Sequence, residues 1–396
     1  EPHQPTLEEL VDQAKGELDA GHPKAAIGLL RDRLRTDGAE DIEAWITAAT
    51  AMHRLNLEDH ALGAAQHSIR IDDQRPEGWV LVGDVHAAKG ETNAAIQLAN
   101  KALLLAKNRD MKVQIHKTKF LIGMFHYANG DYEIAMNEYF EDSYNWLKKN
   151  SKDDVSSLIS RAKAFINIAR TEKINNNPNF IIEEASTPVL EGLKRAEKID
   201  GRQPLIPALI AQIYIRRYED GSKQKKYLTQ ALDNINKAIK LQRPAFLSSK
   251  DSYDGTFQKI RAYVHFLYGE YINNQDSILS YRYAIKNIDE RLSLKPDDVA
   301  SWKDKAKYHF YAGQLGAAYQ SLIKASILAP KDPSIVIDMG IILYNKKDIK
   351  NACERFNRAN NLINEGLAKQ GNQGAFAKDY GQQKLRIKPY KDYLGC

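Results

Sequence analysis

Cysteine is almost absent from this chain: of 396 residues only Cys353 and Cys396 carry a thiol. Two cysteines give neither a disulfide framework nor a zinc-ligand spacing. Cys353, beside Ala352, reads as an inert packed thiol. Cys396 reads as an exposed terminal one, with nothing after it to complete a prenylation signal. Long apolar runs are missing too: Leu205–Tyr214 is among the longest, well short of the ~20 residues of a membrane span. Charge of one sign is lacking. The 57 Lys and Arg are interspersed among 51 Asp and Glu, for a net +6, so no nucleic-acid footprint follows. No Gly-rich phosphate loop, nucleophile elbow, HExxH or CxxC is present, which removes the reactions that need them and leaves no cofactor to expect. No Asn-x-Ser/Thr acceptor occurs.

What is there describes a folded protein. Hydrophobic residues make up 43% and charged residues 27%, a globular composition. The length is too great for one ordinary core and normal for a repeat array. The chain opens Glu1-Pro2 rather than with Met, which reads as a processed or engineered N-terminus. That leans the expected localisation towards a bacterial periplasm or envelope, with cytoplasm as the alternative.

Self-similarity is the main signal. Ala284, Ala318 and Ala352 recur at one interval of 34, as do Ile288, Leu322 and Phe356, and Arg291, Ala325 and Ala359. Near the start the same interval separates Trp45 from Trp79, Ala61 from Ala95, Ala65 from Ala99 and Ser68 from Ala102. Two helices of about 14 residues with short turns fill such a period. Small residues such as Ala306 and Ala318 let the two backbones approach. Trp302 is expected to be buried, removing roughly 150–250 Å² from water. One helix pair cannot cover its own apolar face, so neighbours must stack.

The unit Trp302, Ala306, Gly313, Ala318, Leu322, Ala325, Pro330 resembles the tetratricopeptide repeat throughout. Trp79, Gly83, Gly90, Ala95, Ala99, Ala102 resembles it nearly as well. Gly123, Gly130, Ala135, Tyr139 makes another unit, Gly340, Ala352, Phe356, Ala359 the last clear one, and Leu10, Ala14, Gly21, Ala26, Leu30 the first. The resemblance implies an all-α, right-handed α-solenoid of about nine helix pairs with a C-terminal tail. It divides as 1–146, regular repeats; 151–245, divergent hairpins; 246–362, regular repeats; and 363–396, capping helix and tail. In the middle, long helices over 154–174 and 181–199 are broken by Ile174-Asn175-Asn176-Asn177-Pro178. Pairs over 204–218 with 223–241 and 256–272 with 275–292 follow, the second after a loop from Pro244 to Gly255. A helix around 355–369 is expected to end the array. The remaining tail reads as extended linker, with Lys384, Arg386, Lys388 and Lys391 alternating with apolar residues as in a strand-like arm.

The polar candidates read mostly as structure. His86, His126 and His309 fall where the repeat family has Tyr, and an imidazole there is expected to fill the inter-helix slot and bond a neighbouring backbone group. His53, His60 and His67 are spaced by seven, which on one helix is ~10 Å and too far for one metal ion. Asp153-Asp154 and Asp297-Asp298 sit at helix starts, where the dipole favours them.

In the family the first helix of each pair lines the concave face. Carried over, that lining comprises Ile46, Thr50 and Arg54; Val80 and Asp84; Phe120, Met124 and Tyr127; Lys303, Lys307 and Tyr311; and Ile337, Ile341 and Tyr344. The family's carboxylate clamp for chaperone tails is disfavoured, because Ile46, Thr50, Val80 and Asp84 stand where it needs Lys, Arg and Asn. Neighbouring aromatics from Phe120 to Trp146 read mainly as core. The leading expectation is a non-catalytic scaffold holding a protein or peptide partner, with no metal, nucleic acid or transmembrane segment. The alternatives are an envelope protein that handles polysaccharide or its export, and a signal-peptide receptor.

Overall fold

The computed structural model describes residues 4–150, 154–174, 176–242, 255–370 and 375–396. Asp153, Asn175 and the loop from Pro244 to residue 254 lie outside the described residues. The chain divides into two compact units, Glu1–Asp254 and Gly255–Cys396.

The first unit runs α1 (Leu7–Asp19), α2 (Pro23–Leu30), α3 (Ile42–Arg54), α4 (Glu58–Ile71), α5 (Pro76–Ala88), α6 (Thr92–Asn108), α7 (Lys112–Asn129), α8 (Tyr132–Ile134) and α9 (Glu141–Asn150). A π-helical stretch, Ala135–Phe140, joins α8 to α9. Then come α10 (Val155–Ile174), α11 (Ile182–Ile199), α12 (Leu205–Asp220) and α13 (Lys225–Gln242). The second unit holds α14 (Thr256–Ile272), α15 (Ser277–Leu294), α16 (Val299–Tyr311), α17 (Leu315–Leu328), α18 (Pro333–Asn345), α19 (Ile349–Gln370) and α20 (Ala375–Leu394). Taking α8 to α9 as one bent helix, the described residues form nine helix pairs plus α20, and within each unit successive helices pack on one another. No strand occurs among them, and none of the helices is long and apolar enough to cross a membrane.

The 34-residue register fixes the details of each regular pair. Asp41, Asp298 and Asp332 cap α3, α16 and α18, their carboxylates accepting the N–H of Ala44, Ser301 and Ser334, which satisfies donors the helix leaves orphaned. The turn inside each pair needs one left-handed residue. Gly90, Gly130 and Gly313 supply it without a Cβ penalty, whereas Asn56 and Lys347 adopt it at φ 59° and 67°. Mid-helix, a Cβ on Gly340 would stand 2.6 Å from the Phe356 ring, and one on Gly123 would stand 2.7 Å from Phe140. These are the close approaches that the small-residue positions permit. Ala95, Ala99, Ala318 and Ala325 are completely buried.

Several expectations need correcting. Trp302, expected to be buried, is half-buried, as are Trp45 and Trp79. Each donates its indole N–H to the carbonyl six residues back, Ala39, Asp73 and Pro296, at 2.8–2.9 Å, so the ring straps the preceding loop onto the first helix. The histidines in the Tyr slot bond side chains rather than backbone. His86 Nδ1 lies 2.5 Å from Glu91, His126 Nδ1 3.4 Å from Asp131 and His309 Nδ1 2.6 Å from Gln314, always five residues on, across the turn. His53 makes the same contact with Glu58 at 2.8 Å. His53 therefore belongs to α3 while His60 and His67 belong to α4, so the three do not share a helix. His67 packs on Trp45, ring centroids 4.4 Å apart.

The tail is not an extended arm. It forms α20, whose Ile387 is buried against Val336, Ile337 and Phe356 and whose Tyr390 stacks on Phe356 at 5.1 Å. Packing of that apolar face overrides the composition that read as linker. The fold-back of α20 brings Cys396 beside α19, and Cys353 and Cys396 form a disulfide. The expectation of two free thiols fails because 43 residues of separation conceal an approach that only the helical hairpin creates.

Candidate functional site

Four of the residues expected to line a groove converge in the second unit. Lys303, Lys307 and Tyr311 on α16 and Ile341 on α18 line a cavity of about 430 Å³, with Asp304, Phe310, Asp338, Ile342 and, from α20, Arg386. Ala306 and Leu322 form its apolar floor.

The cations of this cavity differ in what holds them. Lys303 Nζ lies 3.1 Å from Asp332 Oδ2 and donates to Ser334 Oγ at 2.6 Å. Arg386 pairs with Asp338 at 2.6 Å. Lys307 is exposed and makes no ion pair among the described residues. Its ammonium sits over the Phe266 ring, 3.9 Å from the centroid, an attraction worth ~0.5–1 kcal/mol at an exposed site. Tyr311 is 46% exposed and meets Phe266 edge-on at 5.1 Å. Beneath them burial raises the Asp304 carboxyl above its ordinary range, against the pull of Lys259 and Lys307. Apolar floor, ring edge and loosely held ammonium can together take an apolar side chain flanked by an acceptor.

The rest of that list separates. Ile337 is completely buried in the core under α20 and presents no surface. The register that points residue 303 at solvent points residue 337, 34 on, at the capping helix. Tyr344 is half-buried, with Tyr390 and Tyr393 edge-on at 5.3 and 6.4 Å. Arg386 was missed as a lining residue, because a tail read as linker gave it no helical face.

In the first unit Arg54 is exposed, and Ile46, Thr50, Val80, Asp84, Phe120, Met124 and Tyr127 are half-buried. Thr50 Oγ1 donates to its own helix at Ile46 O, 2.8 Å away. An Arg54 N–H donates to Leu18 O at the end of α1. Phe120, Met124 and Tyr127 pack against the core of Ala135, Met136, Phe140 and Ile168, with Tyr127 edge-on to Tyr132 at 5.0 Å. Burial pushes Asp84 up to about 6, offset by His53 and reinforced by Glu58. No group of three metal-binding side chains occurs among the described residues.

No family model matches the sequence. A TPR repeat-containing protein, MJ1428 of Methanocaldococcus jannaschii, is 23% identical over 92% of this chain, which spans 58% of that protein's length. A crystal structure of the APC/C hetero-tetramer Cut9–Hcn1 is similar with a TM-score of 0.51 at 12% identity, over 85% of this chain and 56% of that one. TTC0263, described as a thermophilic TPR protein in Thermus thermophilus, covers 58% of this chain and 99% of its own at 21% identity and a TM-score of 0.41. Paired helices, repeating caps and turns, and the likeness to Cut9–Hcn1 lead to one conclusion: the chain has an all-α helical-repeat fold, and in sequence it is similar to a tetratricopeptide-repeat protein.

Proposed function

We propose that the chain is a non-catalytic scaffold that holds a segment of a partner polypeptide, gripped in part by the cavity of the second unit. The observation that carries this reading is Lys307. An exposed ammonium resting on an aromatic face, at the mouth of an apolar cavity, is a donor with no ion-pair partner among the described residues. A peptide carbonyl or carboxylate would complete it while a neighbouring side chain fills the floor. Binding energy at such sites concentrates in a few anchors, ~1–4 kcal/mol each on truncation.

The test is a photo-crosslinking residue placed at Tyr311, with a control at Lys324 on α17, exposed to lysate of the source cells. Tyr311 should capture polypeptide, Lys324 should not, and the Lys303→Ala/Lys307→Ala pair should reduce capture at least tenfold with the helical circular dichroism unchanged. Capture equal at both positions, or retention of glycans and no polypeptide, would overturn the reading.

A further inference from the structure

Helix α20 is thinly held by its own contacts. It contains Pro389, which takes one N–H out of the helical ladder. Among its described side chains two are buried, Gln383 and Ile387. Ile387 packs on Val336, Ile337 and Phe356. Gln383 donates to Asp379 at 2.8 Å, but its amide oxygen has no partner, and a buried acceptor left unpaired opposes docking. Tyr390 stacks on Phe356 and meets Tyr344 edge-on. Arg386 pairs with Asp338 at 2.6 Å, with both side chains partly in water, where an ion pair contributes little.

The disulfide adds what these contacts lack. Cys353 lies near the start of α19 and Cys396 just beyond the end of α20. The chain itself joins the end of α19 to the start of α20, so α20 is fastened at both ends. Arg386, Ile387 and Tyr390 all lie in the half nearer Cys396. A tie at that end keeps their docking surface at high effective concentration, and cutting it returns them to their own weak hold. Both cysteines are half-buried, within reach of a small thiol. This chain has no third cysteine, so opening the bond gives one product and no reshuffled pairing.

The same half of α20 is a wall of the second-unit cavity. Arg386 lines its 430 Å³ together with Lys303 and Lys307, against Asp304 and Asp338. With α20 docked the lining has three cations and two carboxylates. Without it two of each remain, and Asp338 loses the partner that neutralised it.

We infer that the Cys353–Cys396 bond is a redox latch on this cavity: exchange with a dithiol undocks the outer half of α20, withdraws Arg386 and weakens the hold on an acceptor-bearing segment. The step balances. The S–S bond of the protein breaks, both cysteine sulfurs take a proton, and the dithiol gives up two electrons and closes its own S–S bond. The effect on binding rests on the reading of the cavity proposed above; the undocking of α20 does not.

The test uses the full chain with the photo-crosslinking residue at Tyr311, either oxidised or treated with dithiothreitol. Amide exchange, the phenylglyoxal labelling rate of Arg386 against exposed Arg358 on α19, and capture of polypeptide from lysate are read on both forms. Reduction should speed exchange over residues 386–394 about tenfold or more, with α16 and α17 unchanged. It should raise Arg386 labelling towards the Arg358 rate and lower capture about fivefold. Cys396→Ser should match the reduced parent without treatment and ignore dithiothreitol. Equal exchange and equal Arg386 labelling in the two redox states would overturn the latch, as would a response to dithiothreitol in Cys396→Ser. Faster exchange with undiminished capture would overturn its coupling to the cavity. No capture by the oxidised chain would refute the peptide-holding reading alone, and exchange and labelling would still decide the latch.

Discussion

The first unit joins its own ends, residue 22 to residue 242, while the second covers the end of its last pair with a separate helix, α20, tied to α19 through Cys353 and Cys396. A stack of helix pairs always leaves an apolar face at each end, and these are two ways of limiting that exposure. The inner surfaces differ accordingly. In the first unit Phe120, Met124 and Tyr127 pack against the core of Ala135, Met136, Phe140 and Ile168. In the second, Lys307 and Tyr311 flank an open cavity in which Asp338 already holds Arg386, while Lys303 is held by Asp332 beside it. One repeat register thus yields a row packed on the core in the first unit and a half-neutralised open cleft in the second.

The sharpest way to break the comparison is to cut the tie in the second unit. Loop-closure entropy over the 43-residue separation predicts a loss of up to ~4 kcal/mol on reduction or in Cys396→Ser. The loss should appear as faster amide exchange in α20 with α1–α13 unaffected. Equal exchange in the two redox states would show that Ile387 and Tyr390 hold the helix without help.

Overpacking comes next. Ala95→Trp in the first unit and Ala318→Trp in the second each force a ring between backbones in contact, at a cost of about 3 kcal/mol. Each should lower only its own unit's unfolding transition by calorimetry. A shift in the other unit's transition would mean that the two unfold as one.

Acid separates the units by sign. Burial, with Arg261 nearby, lowers His265 of α14 to about 4, below the ordinary ~6.5. The unfolded chain therefore takes the proton first, and the second unit loses stability as pH falls from ~6.5 towards 4. Asp84 in the first unit is raised to about 6, above the ordinary ~3.9. There the folded state takes the proton first, and stability rises as pH falls from 6 towards ~4. Each contribution is of order 1–2 kcal/mol after allowance for partial exposure. Denaturant midpoints of His265→Gln and Asp84→Asn against the parent at pH 7 and pH 4.5 should show the two opposed slopes disappearing. Slopes of the same sign would refute the assignment.

The smallest effect is local. Lys347 holds the left-handed turn position at φ 67° that Gly313 fills one repeat earlier, so Lys347→Gly should stabilise the second unit by about 1 kcal/mol. The matching Gly313→Lys should destabilise it by a similar amount, both read from thermal midpoints.

Much of this was legible beforehand, for a physical reason. The 34-residue interval is a local signal: a small residue, a turn glycine and an alanine contact must recur wherever two helices of fixed length meet. Trp302, Gly313 and Ala318 therefore announced a helix pair without reference to the rest of the chain. Lys303, Lys307, Tyr311 and Ile341 were found by the same register. It failed at Ile337, where the next element is α20 rather than another open repeat, and at Trp302, whose indole straps a loop instead of entering the core.

The sequence by itself determined the helix pairs, their turns and caps, and the all-α class, because each depends on contacts within about 34 residues. Tertiary structure alone decided the meeting of His22 with Gln242 and the pairing of Cys353 with Cys396. The first arises from small rotations accumulated over several stacked pairs and the second from the fold-back of α20 on α19, and neither is encoded in a single repeat.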